Sequence, residues 1–259
     1  MTLIDSHCHF DDARFDCDRD AAYQRALAAG VAIQILPAVA RDSWSRLKSV
    51  CQQYPGLYPA YGLHPMFVGR HKDTHIEELD RQLAAEKAVA VGECGLDFFI
   101  GNADRKRQVE LFEAQLALAD KYDLPVIVHA RKAVEEVINH LRHFPGLQGV
   151  LHSYSGSEQQ AQRLIEMGFL MSFGGPLTYP GANRLQRLAS RLPLQAIMLE
   201  SDSPDQPDVD NRGGRNEPAL LGRVLNTIAN LRKTDTQEVA LQTTSNALRL
   251  FRIESPDAP

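Results

Sequence analysis

Strand-like apolar runs alternate with helical patterns along the whole chain, without a linker between successive pairs. The strand-like runs span 3–9, 31–39, 57–64, 88–93, 125–129, 149–152, 169–173 and 196–201. The helical patterns span 18–29, 42–53, 73–85, 104–121, 132–143, 157–167, 181–191, 216–231 and 236–249. Such alternation is typical of a parallel sheet built from βα units. At 259 residues, the sequence predicts one domain, 1–259, with an α/β fold of the (β/α)8 TIM-barrel class.

Composition and charge argue against several classes of function. The formal net charge is -5, which is unfavourable for broad electrostatic binding to duplex nucleic acid. No apolar run reaches the length of about 18 residues that a membrane span needs. The 4 cysteines form no Cys-x-x-Cys pair and a strand begins near the N-terminus, so we expect reduced thiols, a cytoplasmic location and no membrane contact. No obligate protein partner is evident.

Side chains that commonly bind metals fall at the carboxyl ends of several predicted strands. They are His7, His9, Glu93, His129, His152 and Asp202. The two histidines of the first strand are two residues apart, so an extended strand would project both to one face. Barrel closure brings the carboxyl ends of all strands to one mouth. Neutral imidazoles and carboxylates bind borderline divalent metals, so the sequence predicts a metal centre at that mouth.

The size of this set predicts two divalent cations per chain. Six ligands exceed the needs of one tetrahedral ion, and a carboxylate at Glu93 can bridge two. One cation would be held by His7, His9 and Asp202, and the other by His129 and His152. Two cations about 3.5–4 Å apart can clamp the attacking and leaving oxygens of a hydrolytic displacement. We therefore expect Asp202 and Glu93 to be catalytic, with zinc, manganese or magnesium bound.

Two further residues are candidates for substrate binding. His64 ends the third predicted strand and would contact a phosphate or a leaving group, unless it only caps the strand. Arg131 follows His129 by two residues and would bind phosphate bidentately if the strand continues, unless it forms a salt bridge at the rim. Asp97 and Glu200 are predicted to orient ligating histidines. The remaining histidines are expected on the surface; they are His71, His75, His140 and His143.

The segment 203–215, which follows the last predicted strand, is the longest irregular stretch of the chain. A long loop at this position is more often functional than accidental. Its basic end, Arg212 to Arg215, would meet a substrate phosphate, unless the loop is simply solvated.

Short motifs surround the predicted ligands in chain order. They are DSHCH at 5–9, GLHP at 62–65, VGECGLD at 91–97, PVIVHAR at 125–131, HSYSG at 152–156 and LESDSP at 199–204, with NEP at 216–218. Together they resemble the TatD family of metal-dependent deoxyribonucleases over nearly the whole chain. The resemblance implies a barrel hydrolase, 3'-5' exonuclease-like cleavage of DNA, and the same six metal ligands.

The chain departs from the common family pattern at two places. Asp205-Gln206-Pro207 stands where many members have Tyr-Leu-Ala-Pro, and Met66 stands where many have histidine. The first departure is similar to the YjjV-like subgroup, whose members are mostly called metal-dependent hydrolases. A carboxylate at Asp205 would repel a long polyanion, so DNA ends or short oligonucleotides are the expected phosphate-ester substrates.

Two other functions are alternatives to phosphoester hydrolysis. An amidohydrolase-type enzyme that cleaves amides or lactones shares the His-x-His pattern and the aspartate after the eighth strand. Such barrels often bridge their metals with a carbamylated lysine, whereas here the fourth strand offers Glu93. A non-catalytic metal-binding partner protein is the alternative of another class. The presence of both ligand sets and of Asp202 favours an enzyme over that alternative.

Overall fold

The computed structural model describes residues 2–99 and 104–254, so the two ends of the predicted domain lie outside the description. Eight parallel strands form one sheet in the order β1 to β8, each paired with the next in sequence. The strands are β1 Leu3–Asp5, β2 Val31–Pro37, β3 Leu57–Tyr61, β4 Ala90–Asp97, β5 Val126–Arg131, β6 Gly149–Leu151, β7 Phe169–Phe173 and β8 Ile197–Leu199. This topology confirms the predicted barrel class.

Helices connect the strands along the chain and form the outer layer expected for this fold. They are α1 Arg19–Ala28, α2 Trp44–Gln53, α3 Thr74–Ala85, α4 Arg105–Lys121, α5 Val134–Leu141, α6 Glu158–Glu166, α7 Asn183–Arg191, α8 Leu221–Arg232 and α9 Thr236–Phe251. Side chains cap the starts of α4, α6 and α9; in α4, Asp104 accepts a hydrogen bond from the Arg107 amide, 2.9 Å away. Within the described ranges, none of these helices has the length and apolar character of a membrane span.

The barrel closes between its first and last strands through loop backbone. The Ser6 amide donates to the Leu199 carbonyl, and the Asp202 amide donates to the His7 carbonyl, both over 2.9 Å. Beside them, the buried carboxylate of Asp5 accepts from the Ser201 amide (2.9 Å) and the Ser201 hydroxyl (2.6 Å). Burial raises the pKa of Asp5 to about 7. These bonds hold the segments that carry His7 and Asp202 against each other.

Most predicted strand ends are wrong by a few residues; β3, for example, ends at Tyr61, so His64 lies beyond it. Three of the differences affect the predicted metal ligands. β1 ends at Asp5, so His7 and His9 lie in irregular backbone beyond the strand. β4 continues to Asp97, which places Glu93 inside the strand and not at its end. β5 continues to Arg131, so His129 also lies inside its strand.

A local irregularity in β4 explains the position of Glu93. Val91 pairs with Val126, but the next register pair is Cys94 with Val128, so β4 carries one extra residue between them. Bulges of this kind redirect a side chain and are common beside active sites. Glu93 lies in this bulge, and its side chain is 1% exposed.

Glycine allows β4 and β5 to approach closely beneath the mouth. Gly95 has a φ of +133°, and a Cβ there would lie 2.1 Å from the carbonyl oxygen of His129. Lower in the same strand, a Cβ on Gly92 would lie 2.9 Å from the Ile127 carbonyl oxygen. Only glycine, which has no side chain, fits these two positions. The close approach that it allows brings the backbones of Glu93 and His129 together.

Candidate active site

All six predicted ligands meet at the carboxyl end of the barrel. Five of them line a cavity of about 710 Å³, and His7 lies just beneath its floor. The cavity is lined by side chains from most of the strand ends and by the loop after β8. Apolar side chains form part of its wall; they include Pro37, Val39, Met66, Phe67, Phe173 and Leu177. The polar groups converge on the carboxylate of Glu93, which lies at the centre of the site.

The first group of ligand-type atoms surrounds one oxygen of Glu93. Nε2 of His7 lies 3.2 Å from Oε2 of Glu93 and 3.3 Å from Nε2 of His9. Oδ1 of Asp202 lies 3.5 Å from Nε2 of His7 and 3.6 Å from Nε2 of His9. The distance from Nε2 of His9 to Oε2 of Glu93 is 3.8 Å. Four side chains thus direct one ligand atom each towards a common point.

The second group surrounds the other oxygen of the same carboxylate. Oε1 of Glu93 lies 3.0 Å from Nδ1 of His129 and 2.8 Å from Nε2 of His152. The two imidazole nitrogens are 3.1 Å apart. The rings of His7 and His152 stack with centroids 4.0 Å apart, which connects the two groups. Glu93 therefore has one carboxylate oxygen in each group.

These distances test whether the residues fit divalent cations. Ligand atoms around a tetrahedral ion at about 2.1 Å lie about 3.4 Å from one another. The first group, with separations of 3.2 to 3.8 Å, matches that spacing. The second group, with separations of 2.8 to 3.1 Å, lies at hydrogen-bond distance and would have to open slightly. The donor atoms of both groups suit zinc or manganese better than magnesium, which prefers oxygen.

Neighbouring groups fix which nitrogen of two imidazoles is free to bind a cation. Nε2 of His129 lies 3.1 Å from Oδ2 of Asp97 and donates to it, which leaves the lone pair on Nδ1. Nδ1 of His9 donates to the Pro37 carbonyl over 3.2 Å, which leaves the lone pair on Nε2. Such outer contacts are the usual way in which proteins orient metal-binding histidines. The position of Asp97 therefore agrees with its predicted orienting role.

His64 adopts a different tautomer from these two residues. Its Nδ1 accepts a hydrogen bond from the Met66 amide over 3.0 Å, so the proton lies on Nε2. That Nε2 is 2.8 Å from Oε1 of Glu93 and donates to it. In this state His64 has no lone pair to offer a cation, and it holds the orientation of Glu93. The predicted contact between His64 and substrate stays a prediction, although its ring also lines the cavity.

Asp202 is fixed by a residue that the sequence analysis did not select. Nε2 of Gln206 donates to Oδ2 of Asp202, which leaves Oδ1 facing the two histidines of the first group. The amide oxygen of Gln206 accepts from the Ser153 hydroxyl over 3.1 Å. Asp202 itself has a φ of +54°, a left-handed conformation that aspartate tolerates better than most residues. The sequence signals for Gln206 were its place in the long loop and in the Asp205-Gln206-Pro207 departure from the family pattern.

The charge of the buried Glu93 carboxylate is balanced by the imidazoles around it. Burial would raise the pKa of Glu93, but the imidazoles of His152, His64 and His7 lower it well below its usual range. Burial lowers the pKa of His7 to about 4, so its ring is neutral at pH 7. Burial also opposes protonation of His152, yet the charge of Glu93 outweighs it and raises the pKa to about 10. A cation bound by His152 would therefore have to replace the proton that balances Glu93.

Glu200 packs behind His152, but no hydrogen bond joins them within the described residues, so its predicted orienting role stays a prediction. Its Oε1 accepts from the Ser153 amide over 2.7 Å, and its Oε2 accepts from the Ser172 hydroxyl and lies 3.9 Å from Nδ1 of His152. Burial raises the pKa of Glu200 to about 8, against the effect of His152. This carboxyl is therefore protonated at neutral pH among the protein's own groups.

The arginines that were predicted to contact a substrate phosphate lie in different places. Arg131 lines the cavity and is exposed, with its guanidinium carbon 3.8 Å from the centre of the Phe99 ring. Within residues 2–99 and 104–254, no ion pair engages Arg131. Arg215 instead pairs with Asp18 at 2.6 Å, and Arg212 lies over the ring of Tyr179. Neither Arg212 nor Arg215 lines the cavity. The alternative of a solvated surface loop therefore describes the basic end of this segment better than contact with a substrate phosphate does.

Two further expectations need correction. His71 is not a surface residue: it is 7% exposed and its Nε2 donates to the His64 carbonyl over 2.9 Å. Asp205 lines the mouth, but both of its oxygens accept hydrogen bonds from Arg14, at 2.8 and 2.7 Å. This ion pair compensates the charge of Asp205, so repulsion of a polyanion by that carboxylate is weaker than expected.

Comparison with known proteins agrees with this geometry. The family model of TatD related DNases matches residues 4–252. The metal-dependent hydrolase YjjV of Escherichia coli K12 is 40% identical over 254 residues, which cover 97% of this chain and 98% of that protein. The metal-dependent hydrolase YabD of Bacillus subtilis is 33% identical over 253 residues, which cover 97% and 99%.

The structural comparison gives the same result. The crystal structure of Escherichia coli YjjV, described as a TatD homologue, matches with a TM-score of 0.93 and 38% sequence identity. The match covers 97% of this chain and 98% of that one. The resemblance inferred from the motifs is thereby confirmed, and the chain belongs to the TatD-related DNase family as a metal-dependent hydrolase.

Proposed function

We propose that the protein hydrolyses phosphoesters with a dinuclear centre of two divalent cations bridged by Glu93. The main support is that the two oxygens of this carboxylate face different ligand groups, at 3.2 Å from His7 and 2.8 Å from His152. In this proposal one cation is held by His7, His9 and Asp202, and the other by His129 and His152. Zinc and manganese suit these ligands best.

The cations would supply Lewis acidity and lower the pKa of a nearby water when bound. The protein's own residues account for the rest of the chemistry. Asp202 has a carboxylate oxygen beside the first group, so it can accept a proton from the attacking water. His64 and Asp97 hold the orientations of Glu93 and His129. The walls of the cavity exclude bulk solvent from one side of the substrate.

Substrate anchoring is assigned to Arg131. Arg14 also lines the cavity, but it is engaged by Asp12 at 3.1 Å and by Asp205 at 2.7 Å. Arg131 has no such partner in the described ranges, and a guanidinium binds a phosphate bidentately. One available guanidinium favours a substrate with a single phosphate at the mouth over a long polyanion.

The first test is to strip the protein of metal and reload it with zinc, manganese or magnesium. We expect reloaded protein to hydrolyse a chromogenic phosphodiester, with zinc or manganese more effective than magnesium because of the nitrogen ligands. The same preparations are assayed against a lactone and an amide. Faster turnover of the lactone or the amide would contradict phosphoester specificity, and no turnover with any cation would favour the non-catalytic alternative.

For nucleic acids, we propose DNA ends or short oligonucleotides as substrates. A cavity of about 710 Å³ at the barrel mouth admits a strand end more easily than the middle of a duplex. We expect 5'-labelled short single strands to be shortened, whereas a covalently closed circular duplex stays intact in the same reaction. Each phosphate contact contributes about 0.7 to the salt slope of single-strand binding, so a shallow slope is expected. Efficient nicking of the closed circle would contradict this substrate class.

Arg131→Gln provides the residue-level check of the same prediction. It should raise KM for the oligonucleotide and reduce the salt slope by about 0.7, because one phosphate contact is lost. Arg81→Gln is the matched control, since Arg81 pairs with Glu77 on the exposed face of α3. An unchanged KM in Arg131→Gln would remove Arg131 from the binding site. The cytoplasmic location and the lack of an obligate partner stay predictions.

A further inference from the structure

A second cluster of metal-binding residues lies outside the barrel mouth, between α4 and α5. Glu113, His140 and His143 each place a ligand atom within 4.8 Å of the others. Glu113 lies on α4, His140 lies in the last turn of α5, and His143 follows that helix. Helices of this fold run back from the mouth, so the end of α5 lies on the opposite side of the barrel from Glu93.

His140 is held in place by the two helices. Its Nδ1 lies 2.8 Å from Oε1 of Glu113, and its Nε2 lies 3.5 Å from Oε1 of Glu136, one turn earlier on α5. Its ring also contacts Phe112, with centroids 6.2 Å apart. Although Nε2 is buried, no hydrogen bond satisfies it in the described structure. Since Nδ1 faces Glu113, an ion between these two residues would leave the proton of His140 on Nε2, which is directed towards Glu136.

His143 supplies a second imidazole on the same side. Its amide donates to the His140 carbonyl over 3.1 Å, which turns the chain back after α5. The two rings have centroids 6.5 Å apart and are nearly perpendicular, at 84°. Within the described ranges, the ring of His143 has no hydrogen-bond or ion-pair partner. The residue is exposed, so a cation can reach it from solvent.

We propose that Glu113, His140 and His143 form a peripheral site for a divalent transition-metal ion, separate from the centre at the mouth. Two imidazoles and a carboxylate form a ligand set that zinc, nickel and copper prefer over magnesium and calcium. A fourth position stays open to water. Because the ligands come from two helices, the bound ion would connect α4 to α5.

The double variant Glu113→Gln/His143→Gln tests the site. Both side chains are exposed and the replacements are close in size, so the fold should be kept. The control is Glu110→Gln/Arg142→Gln, which changes two exposed neighbours of these residues without touching the cluster. Each metal-stripped protein is equilibrated with zinc, desalted and analysed for zinc per chain, and its hydrolytic activity and thermal midpoint without metal are recorded.

We expect the double variant to hold one zinc per chain fewer than wild type and the control, with unchanged activity and an unchanged midpoint without metal. Equilibration with magnesium should show no difference among the three proteins, because the ligands are mainly nitrogen. Equal zinc content in all three proteins would overturn the proposal. The same loss of zinc in the control would also overturn it, since the cluster would then not be the cause. Neither result depends on the dinuclear centre, because the two ligand sets share no residue.

Discussion

The Glu93→Gln protein should lose both cations, and its rate of hydrolysis should fall by about 10⁴-fold because water activation depends on the cations. This factor is the upper end of the range that is typical of lost acid–base catalysis. The amide keeps one oxygen, but its NH2 group faces the other ligand group and cannot bind a cation. The buried negative charge that attracts the cations is removed as well. Metal content per chain and steady-state turnover of the chromogenic phosphodiester measure the two effects.

Two controls make this result specific to the bridge. Glu77→Gln changes an exposed glutamate of α3 in the same way and should leave metal content and turnover unchanged. Circular dichroism of Glu93→Gln should match wild type, because the amide can still hydrogen-bond within the site. A folded Glu93→Gln protein that keeps two cations per chain would refute the bridging role. Retention of one cation would show that the two ligand groups bind independently.

The barrel fold and the identity of the residues at the site could be predicted because both depend on local sequence patterns. Each strand-like run alternates with an amphipathic helix, and a parallel barrel of this size is the usual product of that order. Since the fold collects the carboxyl ends of the strands, ligand-type residues at those ends meet without any knowledge of long-range contacts. His152, which directly follows β6, is an example.

The orientations of the ligating side chains could not be predicted, because they depend on contacts between segments that are distant in sequence. His7 and His9 do not converge through the pleat of a strand, since β1 ends at Asp5. They converge because the loop is held by partners from elsewhere: the His9 amide donates to Ser203, and the Asp202 amide donates to His7. The bulge that redirects Glu93 has no local sequence signature either.

The tautomers of the histidines could be assigned only from the structure, for the same reason. His64 looked like a substrate contact from its place at a strand end. The Met66 amide occupies its Nδ1 and so turns Nε2 into a donor towards Glu93. Likewise, Asp205 looked like an uncompensated carboxylate until the bidentate contact with Arg14, 191 residues away, became visible. Pairings over such sequence separations leave no periodic pattern in the chain.

Asp202→Asn should lower turnover by about 10²–10⁴ while the fold stays intact, because an amide cannot accept a proton from the attacking water. The substitution is nearly isosteric, and asparagine tolerates the left-handed φ of +54° found here. The neighbouring Gln206→Glu variant is the matched test of positioning: it would place a second carboxylate beside Oδ2 of Asp202 and misalign it, yet it keeps the proton acceptor. We therefore expect a smaller loss in Gln206→Glu than in Asp202→Asn, measured as kcat at saturating metal. Near-normal kcat in a folded, metal-loaded Asp202→Asn protein would exclude Asp202 as the proton acceptor.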